Sequence, residues 1–190
     1  MTSIIESIRA EFLRYKALAE AAIEQVDEAA LSAGPDGNNS IAVICWHISG
    51  NLRSRFTDFL TADGEKPWRQ RDEEFERRTV TRSELLEKWH QGWTVLLDTL
   101  GTLRDDQLQT TITIRRQPML VHEALHRAMA HVASHVGQIV YIAKSLRENE
   151  WRYLSIPPGQ SDAYNRNPGP EHAAAHAAKL AGQKSAEPPR

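Results

Sequence analysis

The sequence predicts an all-α protein, a four-helix bundle followed by a disordered tail. Three observations carry that expectation. Four long stretches repeat apolar residues at steps of three and four. Ser40, and a Thr81-x-x-Glu84 capping box, mark where two of these stretches begin. Strand-like alternation is confined to one short run, TTITIRR at 110–116.

In the first stretch, residues 3–31, Ile4, Ile8, Phe12, Tyr15, Ala19, Ile23 and Val26 share one helical face. Gly34, Pro35, Asp36, Gly37 and Asn38 then stop the helix. Ser40 caps a second helix from Ile41 to about Thr61, with Ile41, Ile44, Cys45, Ile48, Leu52, Phe56 and Phe59 as its stripe. Residues 62–80 are highly charged and contain Gly64 and Pro67, which reads as a long loop with one helical turn. Loops of this length are uncommon in compact domains and often functional, so this one is a candidate cover for a site.

The capping box starts a third helix that carries Leu85, Trp89, Trp93, Leu96 and Leu100 and ends near Leu103. The 110–116 run has no evident strand partner and reads as an extended connection closed by Pro118. A fourth helix spans Val121 to Arg147, and Val121, Leu125, Ala128, Val132, His135, Ile139, Ile142 and Leu146 form a heptad-like seam. Residues 149–165, with Pro157, Pro158 and Gly159, read as irregular chain, and 151–165 as a second candidate cover. Residues 166–190 are rich in Ala, Pro, Lys and Glu and read as a disordered tail. The domain is therefore expected to occupy residues 1–165.

A formal net charge of −2 gives no general attraction to nucleic acid or to anionic membranes. No apolar run approaches the roughly 18 residues of a membrane span. Glu6, Arg9 and Glu11 interrupt the first apolar residues, which argues against a signal peptide. Cys45 is the single cysteine, so no intrachain disulfide can form, and a cytoplasmic setting is expected.

The eight histidines hold the chemistry. They fall at 47, 90, 122, 126, 131, 135, 172 and 176, and form three pairs four residues apart. Chance would give about 0.3 such pairs, although one pair alone is a weak motif. On a helix, His131 and His135 lie one turn apart on one face and can grip one metal ion. His122 and His126 point about 140–180° away from His131, so they cannot share that ion. His172 and His176 read as exposed in the tail. A third ligand must come from elsewhere. His47 lies off the apolar stripe of its helix and by itself reads as a surface histidine. His90, between two tryptophans, is a possible ligand but fits a packing role better. Gln138, one turn beyond the pair, is a candidate supporting group. Arg53, Arg55, Arg115 and Arg116 could hold an anionic substrate, or simply be solvated. No G-x-S-x-G, P-loop, paired CxxC or H-E-x-x-H is present.

WHISGNLRSRFTDFL in the second helix, taken with AHVASHVGQIVYIAK in the fourth, resembles the DinB-like (DinB/YfiT) superfamily of metalloenzymes, and most closely a bacterial subfamily of unestablished function. The resemblance covers about residues 3–165. It implies an up-down-down-up four-helix bundle, a homodimer, and one divalent metal ion held by His47, His131 and His135. It does not select among Zn, Ni, Fe, Cu and Mn. Better-known relatives transfer or isomerise with low-molecular-weight thiols, but no thiol-binding residues are recognisable in this sequence. The leading expectation is a metal-dependent enzyme acting on a small molecule by thiol transfer or hydrolysis. The alternative is a non-catalytic, dimeric metal-binding or stress-related protein, with Trp89 and Trp93 serving a dimer contact.

Overall fold

The computed structural model describes residues 3–34, 39–147, 150–169 and 171–183. The stop signal at Pro35–Asn38 lies outside the described residues. The chain is mostly helical. Four long helices, α1 (Ile4–Glu24), α3 (Ile41–Phe56), α4 (Arg82–Thr102) and α5 (Val121–Arg147), enclose one core. Among these four, α3 packs on α4 and α5, and α1 packs on α5 and α4. Shorter helices are α2 (Glu28–Ser32), α6 (Ser161–Arg166) and α7 (Ala173–Gln183). Strands β1 (Thr111–Ile114) and β2 (Gln117–Leu120) form an antiparallel hairpin.

Caps define three of the helices. Ser3 with Glu6, and Thr81 with Glu84, make full capping boxes, and Ser40 accepts from the Val43 amide. The first helix ends earlier than periodicity suggests. Arg82 donates to the carbonyls of Ile23 and Val26, and Gln25 ties the same end to Arg152. Carbonyls left open at a helix C-terminus are thereby satisfied, and the chain turns before α2. The second long helix also stops early, at Phe56, where the Thr57 hydroxyl donates to Arg53 O and Asp58 adopts a φ of 51°.

The relative direction of the helices follows from contacts at their ends. Asp105, just after α4, accepts from the amides of Ile4 and Ile5 at the start of α1. The Thr99 hydroxyl near the end of α4 donates to Phe56 O at the end of α3. A Cβ on Gly92 would stand 2.5 Å from Ser49 Cα, so α3 and α4 touch backbone to backbone there.

Trp89 and Trp93 lie fully inside this core, with Phe12 edge-on to Trp93 at 6.3 Å. They therefore offer nothing to a dimer contact. The buried face of α5 runs through Leu125, Val132, Val136, Ile139 and Ala143. Of the expected seam, His135 and Ile142 are only half-buried and Leu146 is exposed, while Val136 and Ala143 are buried in their stead. Cys45 is fully buried, as its place on the α3 stripe predicts, and burial pushes its thiol pKa far up.

Two regions differ from the sequence expectation. The 110–116 run does have a partner: Thr111 pairs with Leu120 and Thr113 with Pro118. Arg115 and Arg116 take φ of 54° and 62°, the left-handed pair of a two-residue hairpin turn. Neither is a glycine, so no turn signal was visible. Asp63 offsets the strain by accepting from the amides of Glu65, Arg115 and Arg116 at 2.7–2.8 Å. In the supposed tail, α7 packs along α1 with Leu180 buried, and the His176 ring donates to Leu154 O at 3.1 Å. Alanine has the highest helix propensity, and Leu180 with Ala177 gives this helix a face that packs on the core. Residues 184–190 lie outside the described residues.

Among the described residues no helix is long and apolar enough to cross a membrane.

Asp63→Ala should destabilise the protein by about 1–3 kcal/mol, because three amides lose a charged acceptor. Those amides hold the Asp63 pKa down to about 2, below its ordinary value near 3.8. The stabilisation is therefore full above pH 4 and is lost as pH falls toward 2. Urea melts of wild type and variant should differ by a constant amount from pH 7 to pH 5, with the gap closing below pH 4. A gap that does not depend on pH would refute the charged role.

Candidate functional site

His47 is on the second turn of α3, and its Nε2 stands 3.1 Å from Nε2 of His131 on α5. His135 follows one turn further along α5. Its ring centroid is 4.9 Å from that of His47 and 4.6 Å from that of His131. One nitrogen from each ring can be chosen so that all three lie within 4.8 Å of one another. Ligands each 2.0–2.1 Å from one ion stand about 3–3.5 Å apart, so small ring rotations bring the set to coordination distance. The structure thus brings together the three histidines that the family resemblance implies as one set.

One part of that reading is corrected. His47 is not on the surface: it is 5% exposed. The charged connection between α3 and α4 covers it. Within that segment the single turn of 3-10 helix, Asp72–Phe75, sets the Phe75 ring 4.6 Å from the His47 ring. The same turn delivers Glu74, which is buried too. His47 Nδ1–H donates to Glu74 Oε2 at 2.9 Å. Arg69 grips both oxygens of Glu74 at 2.8 Å, Nε to Oε1 and Nη2 to Oε2. Burial alone would raise the Glu74 pKa, but the Arg69 fork and His47 outweigh it, and the carboxyl lies below its usual range.

Gly50, one turn after His47, makes room for this pair. A Cβ there would lie 2.0 Å from Glu74 Oε1 and 2.6 Å from its Cδ. Sequence reasoning missed Glu74, Arg69 and Gly50. The only signal was a long charged loop, and nothing in its spacing singled out one carboxylate.

These bonds settle which nitrogens face the centre. Glu74 occupies His47 Nδ1, and Gln138 Oε1 accepts from His135 Nδ1–H at 2.9 Å, as its position one turn beyond the pair suggested. Both rings then present an unprotonated Nε2. His131 has no such support, since its Nδ1 is buried without a hydrogen-bond partner. His131 Nε2–H can donate to His47 Nε2. Burial and the neighbouring positive charges hold the His131 pKa down to about 4, and burial lowers that of His135. Both are neutral near pH 7, the state a metal ligand needs.

A cavity of about 190 Å³ opens beside His47 and His131. Phe56, Phe59 and Ile114 line its apolar side, and Arg55, Arg115 and Arg127 its polar side.

The other histidines are elsewhere. The His90 ring bonds Glu20 Oε1 at 3.0 Å, together with the Trp89 indole, where α1 meets α4. His122 Nδ1–H donates to Leu108 O at 3.0 Å. The 151–165 segment is no cover for the site. Arg152 binds Gln25 at the end of α1, and no described residue of the segment lines the cavity.

A mostly helical protein with three convergent histidines, two of them held by a second hydrogen bond, is the class that fold and site define. The chain matches, over residues 1–160, the family described as "Protein of unknown function (DUF1572)", and belongs to that family. No curated protein and no solved structure matches it.

The lowered His131 pKa has a sign that can be tested on metal-free protein. Between pH 6.5 and 4 the unfolded chain binds a proton that the folded chain does not, so stability falls as pH drops through that window. The melting temperature of wild type should fall relative to that of His131→Gln from pH 6.5 to pH 4, and the two should run parallel above pH 7. Parallel curves throughout would mean that His131 titrates normally.

Proposed function

We propose that the protein is a divalent-metal-dependent enzyme of the DinB-like class, acting on a small molecule at His47, His131 and His135. The observation that carries this reading is the convergence of the three rings, two of which have their outer nitrogen held by Glu74 or Gln138. Histidine ligands of metals characteristically donate their second N–H to a carboxylate or carbonyl in this way. Three protein ligands beside an open cavity also fit a catalytic site better than a structural one, which four ligands close.

A divalent ion at this centre would supply Lewis acidity, polarising a bound oxygen and lowering the pKa of a water or thiol toward neutral. Thiol transfer and hydrolysis both fit that chemistry. The chain's own residues do the rest. Glu74 fixes the tautomer of His47, and Arg69 keeps Glu74 ionised. Gln138 does for His135 what Glu74 does for His47. The Asp72–Phe75 turn shuts solvent from the His47 side, so access is left to the cavity.

The end contacts of the helices support an up-down-down-up four-helix bundle. A homodimer in the cytoplasm belongs to the same reading. Exposed Tyr141 and Leu146 on α5 are apolar surface available to such a contact.

Tag-free wild type, reconstituted in turn with Zn, Ni, Fe(II), Cu and Mn, should hold about one ion per chain by elemental analysis. His47→Ala should lose it. Glu74→Gln and Gly50→Ala should weaken affinity by about 10–100-fold, since both disturb the support of a ligand rather than the ligand itself. A wild type that takes up none of these ions, or a His47→Ala protein that keeps its ion, would overturn the assignment. If the ion binds and raises the melting temperature, yet no chelator-sensitive turnover appears on thiol-transfer and hydrolase panels, the non-catalytic metal-binding reading replaces the enzymatic one.

A further inference from the structure

The cavity beside the histidines carries more positive charge than its surroundings neutralise. Five arginines line it: Arg55 from α3, Arg69 and Arg71 from the connection after α3, Arg115 from the hairpin turn, and Arg127 from α5. No carboxylate does. Only Arg69 is fully matched, by the two oxygens of Glu74. Arg55 and Arg115 share the single carboxylate of Glu65, at 3.3 and 2.7 Å. The nearest carboxylate to Arg71 is the fully exposed Asp72 at 3.7 Å, a pairing that water and salt largely screen. The Arg127 side chain makes no ion pair or hydrogen bond among the described residues.

Solvated surface arginines spread apart. These are gathered from four separate parts of the fold, and two are held in place. The Arg55 side chain is 12% exposed and donates to Gly64 O, which also accepts from the Ser54 hydroxyl at 2.8 Å. Arg115 is fixed by the hairpin turn that Asp63 clamps. Like charges brought together around a part-enclosed cavity repel one another unless an anion joins them.

We propose that this cavity is the subsite for the anionic group of a small substrate, a carboxylate or phosphoryl head with a short apolar body. The guanidinium fork suits either head. Phe56, Phe59 and Ile114 supply the wall for the body. About 190 Å³ is less than the roughly 300–1,000 Å³ of pockets for drug-sized ligands, so the molecule is small. His47 and His131 line the same cavity as Arg127 and Arg115, so a bound molecule whose charge meets the arginines has its body beside the histidines. This deepens the proposed function and rests on the histidine cluster being its reacting centre.

Calorimetry on the full chain, treated with chelator, tests it without relying on turnover. The probes are butyrate, butylphosphonate and neutral butyramide at low ionic strength. Butyrate or butylphosphonate should bind, butyramide should not, and added salt should weaken the binding. The tighter of the two anions tells a carboxylate substrate from a phosphoryl one. Arg127→Gln should cost about tenfold or more in anion affinity, with melting temperature and metal content as in wild type. Arg71→Gln should act in the same direction. Equal binding of butyramide, no binding of either anion, or unchanged anion affinity in both variants would overturn the subsite. The two readings fail separately. Selective anion binding by a protein that takes no metal would remove the metal centre and leave the subsite standing. Metal uptake without anion selectivity would do the reverse.

Discussion

The buried ion pair between Arg69 and Glu74, with His47 bonded to the same carboxylate, is the interaction on which the site depends. Glu74 and the Arg69 side chain are almost wholly enclosed. An unpaired charge at that depth would be strongly unfavourable, so each of the three groups is tolerable only because the others are present. The contact pins the connection after α3 across the face of that helix. Through it a segment with little regular structure becomes one wall of the cavity. Gly50 is the condition for it, because any side chain there would occupy the space of the carboxylate.

The hairpin does the corresponding work on the opposite rim. Asp63 binds the amides of Arg115 and Arg116, Gly64 bonds Thr113 O, and Glu65 draws Arg55 and Arg115 together. Two irregular connections that composition marks as solvated are thus sewn to each other and to α3. Their charges become organised chemistry. The helices supply the histidines, Gln138, Arg55 and Arg127, and the connections supply Glu74, Arg69, Arg71 and Arg115.

The three histidines and the arginine cluster share one electrostatic environment. Desolvation and nearby positive charge both disfavour protonated histidine, so His131 stays neutral well below pH 7. That suits a ligand to a cation. No carboxylate lines the cavity to quench the charge of its arginines. A substrate with its own negative group would meet both requirements at once.

Much of the fold and half of the site were legible in the sequence. Periodicity and caps located α4 and α5 nearly to the residue, because a capping box and a 27-residue amphipathic stretch are local signals. The His131–His135 pair and Gln138 were legible for the same reason: residues three and four apart on one helix must be neighbours. What tertiary structure alone decided are the contacts between elements. Burial of His47 follows from a turn of 3-10 helix 25–28 residues downstream, which no helical wheel can place. Pairing of β1 with β2 depends on Asp63 compensating two arginines in a left-handed turn, 52 and 53 residues away. The docking of α7 depends on a groove along α1 that composition, averaged over the last 25 residues, conceals. Local periodicity is written in neighbouring residues. Which carboxylate meets which histidine is set by how the packed helices bring distant loops together.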